Sequence, residues 1–170
     1  MTDTTHHAYS DDSHQGSFRG ICVLSLSRAN AERLTDSLNT ILSESSITEF
    51  KWSKVKGARE RFAADKMITR AIGGCLSDDL RIDVLIWNTE DSRHKIQGRD
   101  DIKNLHRMYY HLLKNVLQRR WPNELDWHLF PDNDSAMDWQ SIKYYLDKKG
   151  IEIDRNKQLF DESDWPFTIV

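Results

Sequence analysis

The chain has 170 residues, 24 Lys and Arg against 27 Asp and Glu, a formal net charge of -3 and 38% hydrophobic residues. That length suits one domain with a real core and is short for two. The small net charge excludes non-specific nucleic-acid binding driven by overall charge and leaves room for a local basic strip.

No apolar run approaches the roughly 20 residues needed to cross a bilayer. The polar N-terminus lacks the apolar core of a signal peptide, and two histidines, His6 and His7, do not make a purification tag. Cys22 and Cys75 sit in apolar stretches without CxxC spacing. The expectation is a cytoplasmic protein with reduced, buried thiols, no membrane contact, no disulfide frame and no zinc site.

Residues 1–8 are expected to be a disordered tail, and residues 9–170 a single α/β domain. Tyr9 to His14 allows a weak strand before a turn at Gly16, and the apolar run from Phe18 to Leu26 predicts a buried strand. Ala31, Leu34, Leu38, Ile41 and Leu42 recur at helical spacing and predict an amphipathic helix from Ala29 to Ser43. A second helix is predicted from Ala58 to Leu76, its buried stripe marked by Ala64, Ile68, Ala71, Ile72 and Cys75, with Gly73-Gly74 weakening the last turn.

Arg81 to Asn88 is an almost continuous apolar run, as expected of a strand covered by helices on both faces. The polar connection from Thr89 to Arg99 is long enough to suggest a functional loop. The longest helix follows, Asp100 to Arg120, stopped by Pro122. Leu125 to Phe130 reads as a strand ending at Pro131-Asp132, and Ser135 to Lys149 as a helix with Trp139, Ile142, Tyr145 and Leu146 on one side. Ile151-Glu152-Ile153 and the terminal Trp165 to Val170 read as further strands. The resulting order, strand, strand, helix, helix, strand, helix, strand, helix, predicts an α/β fold with a mixed sheet flanked by helices.

Three carboxylate positions then fall at element edges: Asp11 or Asp12, Glu49 and Asp132. In open α/β sheets, acids just past strand C-termini are placed to form a site; Asp132 fits this rule well and Asp91 loosely. Magnesium and manganese favour such oxygen ligands, completed by water and substrate phosphate. Two such ions about 4 Å apart can clamp the attacking and leaving oxygens of a phosphodiester. Glu49 stands in Thr48-Glu49-Phe50-Lys51-Trp52-Ser53-Lys54, between two predicted helices, where a plain connection would carry Gly, Asn or Pro.

Tyr9-Ser10-Asp11-Asp12-Ser13 resembles the Tyr-x-Asp-Glu-Ser start of a bacterial family catalogued as domain of unknown function 3800. Glu49-Phe50-Lys51-Trp52 resembles that family's Glu-x-Lys-Trp segment, and the strand ending at Asp132 its downstream acidic position. The resemblance implies a ribonuclease-H-like fold and a metal-dependent nuclease. Asp11, Glu49 and Asp132 would be its catalytic and metal-holding acids, with Asp12 beside them and magnesium or manganese as cofactor. Asp12 stands where Glu is usual, and His14 where Gly is usual. The family continues into a helix with a Gln-x-x-Asp element that has no counterpart after Val170. A C-terminally truncated chain, or a site lacking that acid, is therefore expected.

Lys51, Lys54, Lys56, Arg59 and Arg61 fall close together, opposed by Glu60. With Trp52 as a stacking surface, Lys51, Trp52, Lys54, Lys56 and Arg59 are the candidate nucleic-acid contacts; solvated helix ends and a core tryptophan are the plainer alternative. Among the histidines, His14 and His94 stand in turns near candidate carboxylates and are the ones considered for proton transfer or metal approach. No GxxxxGK[ST], GxGxxG or GxSxG occurs, so P-loop, dinucleotide-binding and serine-hydrolase chemistry lack support. The rival expectation is a non-catalytic interaction module that binds a partner protein or forms an oligomer, with Trp121, Trp139 and Trp165 as interface anchors.

Overall fold

The computed structural model describes residues 5–121, 126–132 and 137–148. In chain order the elements are β1 (Thr5–Gln15), β2 (Phe18–Ser27), α1 (Arg28–Glu44), α2 (Ala58–Leu76), β3 (Leu80–Asn88), α3 (Asp101–Arg119), β4 (Asp126–Pro131) and α4 (Trp139–Asp147). Single 3-10 turns lie at Trp52–Lys54 and Ser92–His94. The four strands form one mixed sheet in the order β3-β2-β1-β4, with β1 and β4 parallel. The expected α/β architecture, a mixed sheet with helices, is the observed one, and the order of elements agrees with the hydrophobic periodicity. Ile151–Ile153 and Trp165–Val170, expected as strands, lie outside the described residues.

Contacts divide the described chain into two compact units, one holding residues 5–25 and 82–148, the other residues 26–81. In the first, Gly16 at φ 60 closes the two-residue turn between β1 and β2, a conformation open to glycine at little cost. β1 reaches further toward the N-terminus than its polar sequence suggests. Residues 5–8, expected as tail, are strand, paired from Thr5 with Asp126 onward, and Ala8 is buried. The parallel ladder with β4 orders them, a long-range cause that local composition does not carry.

One face of the sheet carries Ala8, Ile21, Val23, Trp87, Trp127 and Leu129 into a single core against α3 and α4. The α3 stripe of Leu105, Tyr109, Leu112, Leu113, Val116 and Leu117 is buried there. Each aliphatic side chain so buried contributes about 1.5–3 kcal/mol. Asp100 caps α3 by accepting from the Lys103 amide at 2.8 Å, and Asp138 caps α4 by accepting from the Ser141 amide at 3.0 Å. The His106 ring Nε2 accepts from the Asp138 amide at 3.0 Å, so this histidine serves the start of α4. Trp139 packs edge-on against Tyr109 at 4.9 Å, and Trp121 donates its indole N–H to the buried Ser25 hydroxyl at 2.9 Å. Two of the three tryptophans expected as interface anchors, Trp121 and Trp139, are therefore tied into this unit's own packing, and Trp165 lies outside the described residues.

The opposite face of β3 departs from expectation. Ile82, Val84 and Ile86 are exposed, Ile86 by 66%. The apolar run thus marks a strand with one covered face instead of two, at an edge of the sheet.

In the second unit α1 and α2 pack together, and their buried residues are small or branched: Ala31, Leu34 and Ile41 on α1, and Ala63, Ala64 and Gly74 on α2. Ser27 caps α1 by accepting from the Asn30 amide. The Glu60 side chain accepts from the Gly57 amide at 3.1 Å and ties down the start of α2. The α2 face is turned from its expected stripe, with Ile68, Ile72 and Cys75 exposed. Leu80 sits so close to Gly74 that a methyl group there would lie 2.7 Å from its Cδ2. The bare glycine backbone, and not the bulky stripe, makes the tight contact. Cys22 is half-buried, so neither thiol is the fully buried one expected.

Candidate functional site

β1 and β4 run side by side with Tyr9 opposite Phe130 and Ser10 opposite Pro131. The Asp132 amide donates to the Ser10 carbonyl at 2.8 Å, which carries the ladder one residue past the end of β4. In parallel strands, residues in register share a face. Asp11 and Asp132 therefore stand as neighbours toward the C-terminal ends of two adjacent strands, on the face away from Ala8. Burial, and next the charge of Asp132, push the Asp11 carboxyl above the usual aspartate range. The register leads to this pair through two aromatic steps. His7 stacks on His128 at 5.4 Å and Tyr9 on Phe130 at 4.8 Å, while burial pushes the Tyr9 phenol up to about 12.

Asp12 has a different role. Strand alternation turns it to the core face, where its Oδ2 pairs with the Arg19 Nε at 3.4 Å and its Oδ1 accepts from the Tyr109 hydroxyl at 3.4 Å. Its side chain is largely buried between them. Tyr109 is held far above the ordinary phenol range by burial, then by the charges of Asp12 and Asp11. A carboxylate engaged by a guanidinium and a phenol orients the strand that carries Asp11, and strand alternation turns it away from an ion bound on the other face. Neither Arg19 nor Tyr109 figures among the sequence-based candidates. The available signal was an arginine in phase with Ile21 and Val23, on the buried parity of an apolar strand.

Glu49 belongs to the second unit. Its carboxylate is held by Lys54 at 3.0 Å and Lys51 at 3.2 Å, and these lysines, Lys54 first, lower its pKa. The two lysines expected to meet phosphate are thus the partners of the acid expected to meet metal. Trp52 is 65% exposed and meets Phe50 edge-on at 5.2 Å, so the core alternative for it does not hold. Lys56 and Arg59 are exposed.

Asp91, the loosely fitting acid, is clamped by Arg93, with Nη2 to Oδ2 at 2.6 Å, which drives its pKa far down. His14 lies exposed on β1, and the His94 carbonyl accepts from the Asn104 side chain at 3.0 Å. Among the described residues no group of three or more His, Cys, Asp or Glu side chains is placed to hold a metal ion. The pair Asp11 and Asp132 nevertheless suits a hard divalent cation. Both donors are carboxylate oxygens, their charges repel, and magnesium commonly takes only one or two protein carboxylates, leaving its other positions to water and phosphate.

Among the described residues no helix is long and apolar enough to cross a membrane. No family model matches the chain. It is 38% identical over 160 residues to two uncharacterized proteins of Methanothermobacter thermautotrophicus, ORF2' and ORF2, covering 88% of this chain and 56% of each relative. The chain spans about half the length of the curated relatives it matches.

Proposed function

We propose that this chain carries the acidic pair of a cytoplasmic, metal-dependent phosphodiesterase that acts on nucleic acid. One observation carries the reading: Asp11 and Asp132 sit side by side near the C-terminal ends of adjacent parallel strands, close enough that the charge of one raises the pKa of the other. In this reading Asp11 and Asp132 hold magnesium or manganese, which when bound supplies charge stabilisation at a phosphoryl oxygen and an activated water. Arg19 and Tyr109 act as positioning residues by fixing Asp12 and with it the end of β1. The resemblance of Tyr9 to Ser13 to the start of that family of unknown function, which implies a nuclease, is in keeping with the same assignment.

The test is cleavage of labelled RNA, DNA and hybrid duplexes with magnesium or manganese. Asp11→Ala and Asp132→Ala should each lower the rate at least about a hundredfold. Full-rate cleavage by both variants would assign the activity to a contaminant and sink the proposal. Glu49→Ala in the same assay decides whether the third acid implied by the resemblance takes part.

A second reading, a partner-binding module without catalysis, draws on the exposed row Ile82, Val84 and Ile86 of β3. Calorimetry separates the two. Manganese binding that disappears in Asp132→Ala supports the enzyme; no binding, with a concentration-dependent oligomer, supports the module.

A further inference from the structure

One short stretch of this chain is rich in bases. Between residues 51 and 70 there are seven basic residues against two acids, in a chain whose net charge is -3. Lys51 and Lys54 are taken by Glu49, and Glu60 is engaged with the Gly57 amide. Among the described residues Arg59, Lys66 and Arg70 make no ion pair. Steps of seven and four residues put these three on one side of α2, about 10 Å and about 6 Å apart along the axis.

Phe62 lies on the same side, exposed, with the Lys66 Nζ 5.4 Å from its ring centre. At the far end of the strip Gly73 is exposed, and a Cβ there would meet nothing within 4 Å. Six residues before α2 begins, the 3-10 turn offers the exposed Trp52.

We infer that the Arg59–Phe62–Lys66–Arg70 strip of α2 binds single-stranded nucleic acid, the cations tracking successive phosphates and Phe62 and Trp52 stacking on bases. Unpaired cations repeated along a helix match a polyanion better than a single anion. Exposed aromatic rings select single strands, because base faces are free to stack only where the duplex is open. The inference rests on the proposal above for the class of substrate, and on the second unit alone for the contacts. It needs neither metal nor catalysis.

The test is anisotropy of labelled oligo(dT) with the full chain in EDTA, across a salt series. Arg59→Gln/Lys66→Gln/Arg70→Gln should weaken binding at least about tenfold and make the log K against log salt slope shallower by about 2. Trp52→Ala and Phe62→Ala should weaken binding roughly tenfold with the salt slope unchanged. Lys95→Gln/Arg99→Gln/Arg107→Gln, an equal charge change in the other unit, should bind like the parent chain. Arg59→Lys/Lys66→Arg/Arg70→Lys, which keeps the three charges, should restore parent binding, and an unchanged circular-dichroism spectrum of the Gln triple guards against a folding artefact.

Unchanged binding by the strip variant, equal loss in the control, or tighter binding to phosphatidylserine vesicles than to oligo(dT) would overturn the inference. Oligo(dT) binding in EDTA needs no metal, and cleavage is read in a separate assay. Binding that survives where wild-type cleavage is absent therefore rejects the phosphodiesterase while leaving the strip standing.

Discussion

Asp11 and Asp12 are adjacent in the chain, yet strand alternation sends one toward Asp132 and the other to Arg19 and Tyr109. The environment of Asp11 has a measurable consequence. Its carboxyl is raised by burial and by Asp132, so the folded chain binds that proton more tightly than the unfolded chain. The stabilisation is complete below the ordinary carboxylate range and is lost as pH rises through the raised value. At neutral pH the ionised pair opposes folding, and Asp11→Asn should raise Tm by about 1–2 °C, a small gain because the group is screened by solvent. The gain should vanish below about pH 4, measured by thermal denaturation across a pH series. A lower Tm for the variant at neutral pH would show that Asp132 does not oppose the Asp11 charge. Asp132 was legible in the sequence as a candidate because it follows a strand, and Asp11 because of the Tyr9 to Ser13 stretch, although Asp11 lies inside β1 and not at the element edge expected. Arg19 and Tyr109 were not, because their roles depend on a hairpin and a helix meeting across the core.

The helix α2 shows how an element's extent and its orientation differ in legibility. Its limits, Ala58–Leu76, agree with the predicted ones, since capping at Gly57 and Glu60 and continuous helix-forming sequence are local signals. Its buried face does not agree. Two adjacent glycines make the difference testable. Gly73→Ala meets open space and should stabilise by about 0.5–1 kcal/mol. Gly74→Ala drives a methyl to 2.7 Å from Leu80 Cδ2 and should destabilise by about 1–2 kcal/mol despite better helix propensity. Urea titration followed by circular dichroism reads both, and equal effects at the two positions would refute the close approach of Leu80.

At the scale of the whole molecule, the large core and the proposed binding strip belong to different units. The cluster around α3 gathers Trp87, Trp127, Trp139 and Leu113 in one unit, while the unpaired cations Arg59, Lys66 and Arg70 lie in the other. Leu113→Ala should cost about 2–4 kcal/mol by leaving a cavity in that cluster, read as a lower urea midpoint in tryptophan fluorescence. A loss under about 1 kcal/mol would mean that α3 repacks.

The kinds, order and approximate limits of the described elements follow from periods of two and 3.6 residues and from nearby caps, which the chain carries locally. The pairing of β1 with β4, the company of Asp11, the diversion of Asp12 to Arg19, and the exposure of one face of β3 do not. Each depends on residues brought together from distant parts of the chain, and on which neighbour a strand face meets once the sheet has formed.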